Sequence, residues 1–458
     1  MTRYPAALPG LDRHRHGRAG GNPRDRNDWG VTAVTDMTKR QALKLGGAAG
    51  VAGLGLAGGA TATAAAGGGL DGLVPMTDGV VPIALAERRA RLDKARRLMG
   101  AAGIDVLFVE PGSSLVYFTG LKWGRSERML AAVIPRDGDI AYVCPAFEET
   151  AVRERMVIDG DLHLWDEHED PARTVAGILG DLGVTEGTVG LEPTTRFFHI
   201  DGIRRAAPGM DYVNAATVVT GCRVIKSPAE IALMQRAMDI TVAAYKAVLP
   251  MLEAGMANTD VTALIRRAHA ALGASGAWSL CQFGPPSALP HGSVRPQTLK
   301  PGDIVLMDSG GSVEGYQSDI SRTVVFGEPS ARQRQVWATA KAAQAAAFEA
   351  ARPGVPCEAV DAAARAVIEA AGFGPGYRLP GLSHRTGHGI GMDGHEPVNF
   401  VRGEKTPLAP GMCLSNEPGI YIEGEFGVRL EDCLYMTADG PRWFSQPSPA
   451  IDAPFAAA

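Results

Sequence analysis

Apolar and polar residues follow regular patterns from about residue 84 onward. In residues 87–100, apolar positions recur at helical spacing, which predicts an amphipathic helix. Residues 104–109 form a short apolar run with branched side chains, which predicts a buried strand. Further predicted elements are strands at residues 115–119, 129–134, 140–143 and 189–192, and a helix at residues 175–182. This alternation predicts an α/β domain over residues 84–225.

A capping box marks the entry to a second domain. Ser227 precedes Pro228, and Glu230 stands three residues after the serine, an arrangement typical of a helix N-terminus. The long helix predicted to start here runs through residue 252, and further helices are predicted at residues 331–351 and 358–371. Because helices and strands are partly segregated along this region, we predict an α+β domain over residues 226–450.

The first 80 residues lack the pattern of a folded domain. Residues 1–36 are polar and rich in Arg, Gly and Asn, and we interpret them as disordered or as sequence upstream of the true start. Residues 37–80 open with a methionine and a Lys39-Arg40 pair, followed by a Gly- and Ala-rich run. This order resembles a twin-arginine export signal in which Lys39 replaces the first arginine. We expect a periplasmic or secreted protein, or a cytoplasmic one if the signal is not functional.

Composition narrows the classes of partner. The formal net charge of -5 gives no basic footprint, so we expect no nucleic-acid partner. The Gly/Ala run has a second interpretation as a membrane anchor, but no later apolar run has the length of a membrane span. We therefore expect no membrane association after signal removal. The six cysteines form no CxxC pair, which argues against zinc-knuckle and thioredoxin motifs and favours buried thiols, although export would permit disulfides.

Two aspartates flank a Gly-rich segment between two strand-like runs. Asp308 ends the first run, residues 303–308, and Asp319 lies within the second, residues 315–326. Residues 309–314 between the two runs predict a hairpin turn. The two carboxylates are then expected to face each other across adjacent strands, where like charges destabilise a sheet. A divalent cation between them, or a proton on one of them, would remove this repulsion. The alternative is that either aspartate only caps a turn.

Later segments add imidazoles and two more carboxylates. His388 lies among glycines that leave room for a ligand, and His395 follows seven residues later, although a lone histidine is often structural. Glu417 precedes a proline, which favours extended backbone. Arg429 and Glu431 are predicted to share one face of a strand, as a salt bridge or as an arginine that orients a metal-binding carboxylate. The combined carboxylates and imidazole suit two divalent cations, Mn or Fe, with Co or Zn as alternatives.

The ordered set of these residues resembles the ligand signature of the pita-bread metallopeptidases, a family with aminopeptidase P, prolidase, methionine aminopeptidase and the metal-free creatinase. The resemblance covers residues 84–445 and implies a creatinase-like α/β N-terminal domain before an α+β pita-bread catalytic domain. It implies that Asp308 binds one ion and that His388 and Glu417 bind the other. Asp319 and Glu431 would bridge the two ions, of which manganese is the most expected.

The same resemblance implies roles for other residues and an activity. His291 and His395 match the family's two active-site histidines, and Arg429 matches its supporting arginine. The implied reaction is hydrolysis of the Xaa-Pro bond of short peptides by a metal-bridged hydroxide, with Glu417 shuttling the proton and the two histidines stabilising the oxyanion. The resemblance also implies a homodimer in which one N-terminal domain covers the neighbour's site.

Three alternatives to an Xaa-Pro peptidase remain at this stage. One is a lyase acting on a small organic cation, another is a creatinase-like hydrolase without metal, and the third is a binding module without catalysis. The complete ligand set and the presence of both histidines favour the peptidase. The sequence leaves open whether the substrate is a dipeptide or a longer peptide, because this depends on how the far side of the pocket closes.

Overall fold

The computed structural model describes residues 70–455. The predicted disordered segment, residues 1–36, lies outside the described residues, and so does the predicted export signal and linker apart from its last residues, 70–80. Localisation by a twin-arginine-like signal therefore stays a prediction. Within residues 70–455, no helix is both long and apolar enough to span a membrane.

The N-terminal region is a six-stranded mixed sheet with flanking helices. Its strands are β1 (Val106–Val109), β2 (Ala131–Pro135), β3 (Ala141–Pro145), β4 (Asp161–Trp165), β5 (Gly187–Leu191) and β6 (Met210–Asn214). Its helices are α1 (Leu85–Ala102), α2 (Ser113–Thr119), α3 (Glu149–Arg155), α4 (Pro171–Asp181), α5 (Phe197–Ala206) and α6 (Ala216–Arg223). The strand order is β4-β3-β2-β1-β5-β6, with β2 antiparallel to both of its neighbours. This architecture confirms the predicted α/β fold.

One predicted strand of this region is wrong, because residues 115–119 belong to helix α2. A short run that is apolar throughout has no periodicity to distinguish a strand from a buried helix. In the folded protein Leu115, Phe118 and Tyr117 are all buried, and Tyr117 lies on a different face of the helix from the other two. Gly120 ends the helix with a φ of 79°, and its N–H donates to the carbonyl of Val116.

The second region begins with α7 (Pro228–Val248) at the predicted capping box. Ser227 Oγ accepts from the Glu230 N–H at 3.2 Å, and the Glu230 carboxylate accepts from the Ser227 N–H at 2.8 Å. A 3-10 turn, Leu249–Met251, follows α7, close to the predicted end. The other helices are α8 (Asn258–Ala271), α9 (Ala331–Ala350) and α10 (Cys357–Ala370), the last two within one residue of their predicted bounds.

The strands of this region form two larger sheets and a separate pair. The first sheet has β7 (Ser275–Phe283), β8 (Ile304–Val313) and β10 (Ile320–Val325) in the order β10-β8-β7, and β9 (Tyr316–Gln317) pairs with β8. The second has β11 (Gly387–Gly389), β12 (Glu396–Phe400), β13 (Cys413–Asn416), β16 (Asp432–Thr437) and β17 (Gly440–Trp443), in the order β12-β11-β13-β16-β17. The pair is β14 (Gly419–Ile422) with β15 (Phe426–Arg429).

Strand β8 serves both the core and the site. Val305 and Met307 are buried in one apolar cluster with residues of α7 and α8, and Ile304 and Leu306 in another with residues of α9. Because successive side chains alternate, Asp308 lies on the same face as Ile304 and Leu306 but at the end of that apolar stretch. All six cysteines are buried and unpaired, as the sequence predicts.

The hairpin turn after β8 lies at the very end of the predicted turn segment, residues 309–314. The strand continues through Gly310 to Val313, and the turn is formed by Glu314 and Gly315, with φ values of 48° and 86°. Gly310 is needed within the strand because a Cβ there would meet the Ser318 carbonyl oxygen at 1.9 Å. The glycine at position 310 is therefore required for close packing of the two strands and does not form the turn.

The shifted turn changes the register of the two aspartates. Asp308 pairs with Ser321, not with Asp319, so the predicted direct opposition of the two carboxylates is wrong. Asp319 lies two positions before Ser321 and immediately before β10. The aspartates are thus diagonal neighbours, which still brings their side chains together.

Candidate active site

A cavity of about 550 Å³ lies where the two sheets and the β14–β15 pair converge. Its lining consists of Trp278, Pro290, His291, Asp308, Asp319, His384, Arg385, His388, Gly394, His395, Glu417, Arg429 and Glu431. Every site residue predicted from the sequence belongs to this lining. The structure therefore brings all of these side chains to one cavity, and their roles stay predictions.

The possible ligand atoms form three close groups, each within 4.8 Å. The groups are Asp308 with Asp319 and Glu431, His388 with Glu417 and Glu431, and Asp319 with His388 and His395. Glu431 belongs to the first two groups and Asp319 to the first and third. Two overlapping groups of hard oxygen and imidazole ligands that share a carboxylate are the arrangement expected of a dinuclear centre.

The five candidate ligands come from five separate segments. Asp308 lies in β8, Asp319 between β9 and β10, His388 in β11, Glu417 directly after β13, and Glu431 between β15 and β16. Asp319, His388 and Glu431 are buried, while the side chains of Asp308 and Glu417 are 16% and 13% exposed toward the cavity. The carboxylates are thus brought together by long-range packing and not by local sequence.

The prediction that Arg429 and Glu431 share one strand is wrong. β15 ends at Arg429 and β16 begins at Asp432 in a different sheet, so Glu431 lies in the connection between them. Val428, Arg429, Leu430 and Glu431 are all buried, so the alternation of apolar and polar residues does not reflect the two faces of one strand. The Glu431 N–H donates to the Ser321 carbonyl at 3.3 Å, which fixes the connection beside β10.

His388 has the tautomer that a metal ligand requires. Its Nδ1 is 3.1 Å from the carbonyl of Gly389, which can only accept, so the ring proton is on Nδ1. Nε2 therefore has a free lone pair, and it lies 3.2 Å from a carboxylate oxygen of Glu417 and 3.7 Å from one of Asp319. Burial and the neighbouring His395 lower the pKa of His388 to about 3, so the ring is neutral. Three acceptors that face each other in this way need a cation or a proton between them.

The carboxylates also indicate that the site binds a cation. Burial, then the charge of Asp308, raises the pKa of Asp319 well above its ordinary value, and burial with the charge of Asp319 does the same for Glu431. Burial raises the pKa of Glu417 to about 7, with Asp308 adding to the shift. Glu431 Oε1 is buried and has no hydrogen-bond partner among the described residues. A buried oxygen without a partner is costly, and a bound cation would remove that cost.

Arg429 connects the carboxylates to the rest of the cavity wall. One terminal nitrogen donates to Asp308 Oδ2 at 2.6 Å, and the other donates to the Pro290 carbonyl at 2.9 Å and to the Tyr421 hydroxyl at 3.1 Å. Nε donates to Ser321 Oγ at 2.9 Å. The arginine therefore pairs directly with Asp308 and reaches Glu431 only through a serine. Because Pro290 precedes His291, the same arginine also fixes the loop that carries this exposed histidine.

Comparisons with known proteins agree with this geometry. The model of metallopeptidase family M24 matches residues 232–438, and the model of the creatinase/prolidase N-terminal domain matches residues 91–225. A probable dipeptidase PepE of Mycobacterium tuberculosis is 36% identical over 354 residues, covering 76% of this chain and 92% of the relative. The chain belongs to metallopeptidase family M24. An Xaa-Pro dipeptidase of Lactobacillus helveticus is 31% identical over 359 residues, covering 77% of this M24 chain and 96% of the relative.

Solved structures confirm the M24 fold. Dipeptidase PepE from Mycobacterium ulcerans superposes with a TM-score of 0.75 at 32% identity, covering 82% of this chain and all (100%) of that one. A prolidase from Thermococcus sibiricus gives a TM-score of 0.73 at 28% identity, covering 78% and 97%. The predicted pita-bread fold with a creatinase-like N-terminal domain is therefore confirmed, and the chain is a peptidase. The M24 family is metal-dependent, and the donor set of this cavity fits divalent cations.

Sequence reasoning missed several residues of the M24 site. His384 lines the cavity, and its Nε2 lies 2.8 Å from the Tyr421 hydroxyl. Burial, then Arg429, lowers the pKa of His384 to about 3, so it is neutral. Arg385 lines the cavity beside it, and Ser321 touches two carboxylates. The position of His384, four residues before His388 in the same Gly-rich segment, is the one sequence signal that could have indicated it.

Proposed function

We propose that this M24 peptidase hydrolyses the Xaa-Pro bond of dipeptides with two divalent cations in the cavity. The observation that carries the proposal is the unprotonated Nε2 of His388, which faces carboxylate oxygens of Glu417 and Asp319 and shares a close group of possible metal ligands with each of them. The partnerless Glu431 Oε1 supports it independently. In a site that binds no cation, the lone pair of His388 Nε2 and the buried Glu431 Oε1 would both be expected to have hydrogen-bond partners.

The proposed ligand sets follow the close groups of side chains. Asp308, Asp319 and Glu431 would hold one ion, and His388, Glu417 and Glu431 the other, with Asp319 close enough to both groups to bridge as well. The oxygen-rich donors suit Mn, with Co, Zn and Fe as alternatives. When bound, such ions supply Lewis-acid polarisation of a carbonyl and an acidified water.

The protein's own side chains supply the remaining chemistry. We assign proton transfer to Glu417, whose carboxylate is partly exposed to the cavity and can carry a proton toward the leaving proline nitrogen. His291 and His395 line the same cavity and would stabilise negative charge on the scissile carbonyl oxygen. Arg429 pairs with Asp308 and holds the His291 loop in place.

The substrate class rests on the relatives. Proteins at 36% and 31% identity are named a probable dipeptidase and an Xaa-Pro dipeptidase. The decisive experiment combines metal analysis of the purified protein with cleavage assays on Ala-Pro, Ala-Pro-Ala and Ala-Ala-Ala. We expect about two divalent ions per chain and rapid cleavage of Ala-Pro alone. Cleavage of Ala-Pro-Ala in preference to Ala-Pro would replace the dipeptidase by an aminopeptidase, and activity that survives full metal removal would overturn the mechanism.

We also propose a homodimer. Support comes from aromatic side chains exposed on the N-terminal region, where Phe147 is 60%, Phe197 73% and Phe198 51% exposed. Exposed aromatic side chains of this size are typical of protein interfaces. Light scattering should give twice the mass of one chain, and Phe197→Glu should reduce it. A monomeric mass for the unaltered protein at micromolar concentration would refute this proposal.

Export is proposed on the Lys39-Arg40 pair and the run that follows it. Replacement of both basic residues by Gln in a tagged full-length protein should retain the protein in the cytoplasm. Cell fractionation gives the answer, and an unchanged distribution between compartments would remove the twin-arginine interpretation.

A further inference from the structure

His395 lies close enough to two proposed metal ligands to be a metal ligand itself. A ring nitrogen of His395 lies within 4.8 Å of ligand atoms of Asp319 and His388, and the rings of the two histidines are 3.9 Å apart. Geometry alone would therefore accept His395 as a sixth ligand. The hydrogen bonds around the ring decide between a ligand and a donor.

Arg385 determines which nitrogen of His395 carries the proton. A terminal nitrogen of Arg385 lies 3.0 Å from His395 Nδ1. A guanidinium has donors and no acceptor, so Nδ1 must be the unprotonated, accepting nitrogen. In a neutral imidazole the proton is then on Nε2, and a protonated nitrogen has no lone pair for a metal. His395 Nε2 makes no hydrogen bond to any of residues 70–455, so this N–H is available to a ligand in the cavity.

The neighbouring His388 has the opposite tautomer. Its Nδ1 donates to the Gly389 carbonyl and its Nε2 is the free acceptor. The two neighbouring imidazoles thus differ by one proton position: His388 presents a lone pair, and His395 presents an N–H. A carbonyl beside one ring and a guanidinium beside the other produce this difference.

The guanidinium of Arg385 is itself held in position. Its second terminal nitrogen donates to Asn399 Oδ1 at 2.8 Å. Asn399 lies on β12 directly opposite His388 on β11, so it belongs to the same pair of strands. A planar guanidinium that donates from both terminal nitrogens has a fixed orientation, which the single ammonium of a lysine would not reproduce.

We propose that Arg385 is a positioning residue that holds His395 as an Nε2–H donor and thereby keeps it from binding metal. With the proposed peptidase function, the recipient of that hydrogen bond is the carbonyl oxygen of the scissile bond. The tautomer is a property of the protein alone, whereas the recipient rests on the proposed function. The two parts are tested separately below.

The tautomer is measured by long-range ¹⁵N–¹H correlation of histidine-labelled, zinc-loaded protein, with His395→Ala used to assign the signals. We expect His395 to show the Nε2–H pattern in the unaltered protein and a mixture of tautomers in Arg385→Gln. Arg385→Lys should also give a mixture, because its ammonium cannot bond both partners. Arg442→Gln, which replaces an exposed arginine of β17 outside the cavity lining, should leave the spectrum unchanged.

Kinetics and zinc content complete the test. Arg385→Gln should lower kcat for Ala-Pro about tenfold, with a smaller change in KM and unchanged zinc content. A metal-bound Nε2 or an Nδ1–H pattern for His395 in the unaltered protein would overturn the proposal, as would loss of zinc in His395→Ala. If the tautomer responds as expected but no Xaa-Pro peptide is cleaved, the positioning role of Arg385 stands and the proposed substrate fails.

Discussion

Arg223 at the end of α6 donates through a terminal nitrogen to a carboxylate oxygen of Glu396, the residue that follows His395. Lys226 Nζ lies 3.1 Å from the other carboxylate oxygen, and all three side chains are buried. The N-terminal region thus holds the first residue of β12, directly beside an active-site histidine. Burial alone would raise the pKa of Glu396, but Lys226 and Arg223 lower it below its ordinary value of 4.5.

This ion cluster predicts a pH-dependent contribution to stability. Because the pKa of Glu396 is lower in the folded than in the unfolded chain, its contribution is complete above pH 4.5 and is lost as pH falls through the folded value. Glu396→Gln should reduce the free energy of unfolding by about 3 kcal/mol at pH 7, since it leaves the buried Lys226 without its anion and Arg223 paired only with the half-exposed Asp393. Denaturant unfolding at pH 7 and at successively lower pH measures both effects.

The control for Glu396 is a glutamate on the surface. Glu167 also pairs with an arginine, Arg128 at 2.8 Å, but both side chains are largely exposed. Glu167→Gln should leave the free energy of unfolding nearly unchanged at every pH. If the difference between unaltered protein and Glu396→Gln did not shrink below pH 4.5, the ion cluster would not be the source of the stability.

Ser321 is expected to control metal affinity without binding metal. Its hydroxyl accepts from Arg429 Nε and lies 3.0 Å from Asp308 Oδ1 and 2.8 Å from Glu431 Oε2. Removal of the hydroxyl leaves both the guanidinium Nε–H and the Glu431 oxygen without this partner. Ser321→Ala should weaken manganese binding about 10- to 100-fold with the fold retained. Calorimetric titration of metal-free protein with Mn²⁺ gives the affinity.

A neighbouring serine provides the matched control for this effect. Ser309 is equally buried, but its side chain points to the other face of β8 and bonds to Ser279 Oγ at 2.8 Å. Ser309→Ala should keep the manganese affinity of the unaltered protein. Equal losses in the two variants would mean that the sheet, and not the hydroxyl between the carboxylates, governs binding.

The residues of the site could be predicted from the sequence, but the contacts that support them could not. Asp308, Asp319, His388, Glu417 and Glu431 were predictable because each lies in a recognisable local pattern and their order is that of a known family. The register of the aspartates was not, because Gly310 is required by a close approach to Ser318 that only the folded sheet creates.

Two further errors have the same kind of origin. Helix α2 is buried on several faces, so no alternation reports its period. Apolar and polar residues alternate through the link between β15 and β16 although the chain changes sheet there, and this alternation hid the separation of Arg429 from Glu431. In each case a contact between distant segments overrode or imitated a local pattern.

Tyr421 is predicted to orient His384 toward the cavity. His384 Nδ1 lies 2.7 Å from the Arg385 carbonyl, so its proton is on Nδ1 and its Nε2 accepts from the Tyr421 hydroxyl. Tyr421→Phe removes that donor and also the acceptor for an Arg429 N–H, and kcat/KM for Ala-Pro should fall about 10-fold. Tyr212→Phe, which removes a hydroxyl bonded to the α5 backbone, should have no effect. Similar kinetics for both variants would contradict an orienting role for Tyr421.

Metal removal should make stability respond to pH in the direction opposite to that caused by Glu396. Burial raises the pKa of Glu417 to about 7 from an ordinary 4.5, so in metal-free protein its contribution is fully present below pH 4.5 and is lost as pH rises through 7. Bound cations replace these protons, so the stabilisation by metal should grow over the same range. Calorimetry of metal-free protein with and without Mn²⁺ should give a small increase in Tm at pH 5 and a larger one at pH 8. In Asp319→Ala the increase should be nearly absent at both values, because a proposed bridging ligand is missing. An increase as large at pH 5 as at pH 8 would mean that the ions bind outside this carboxylate cluster.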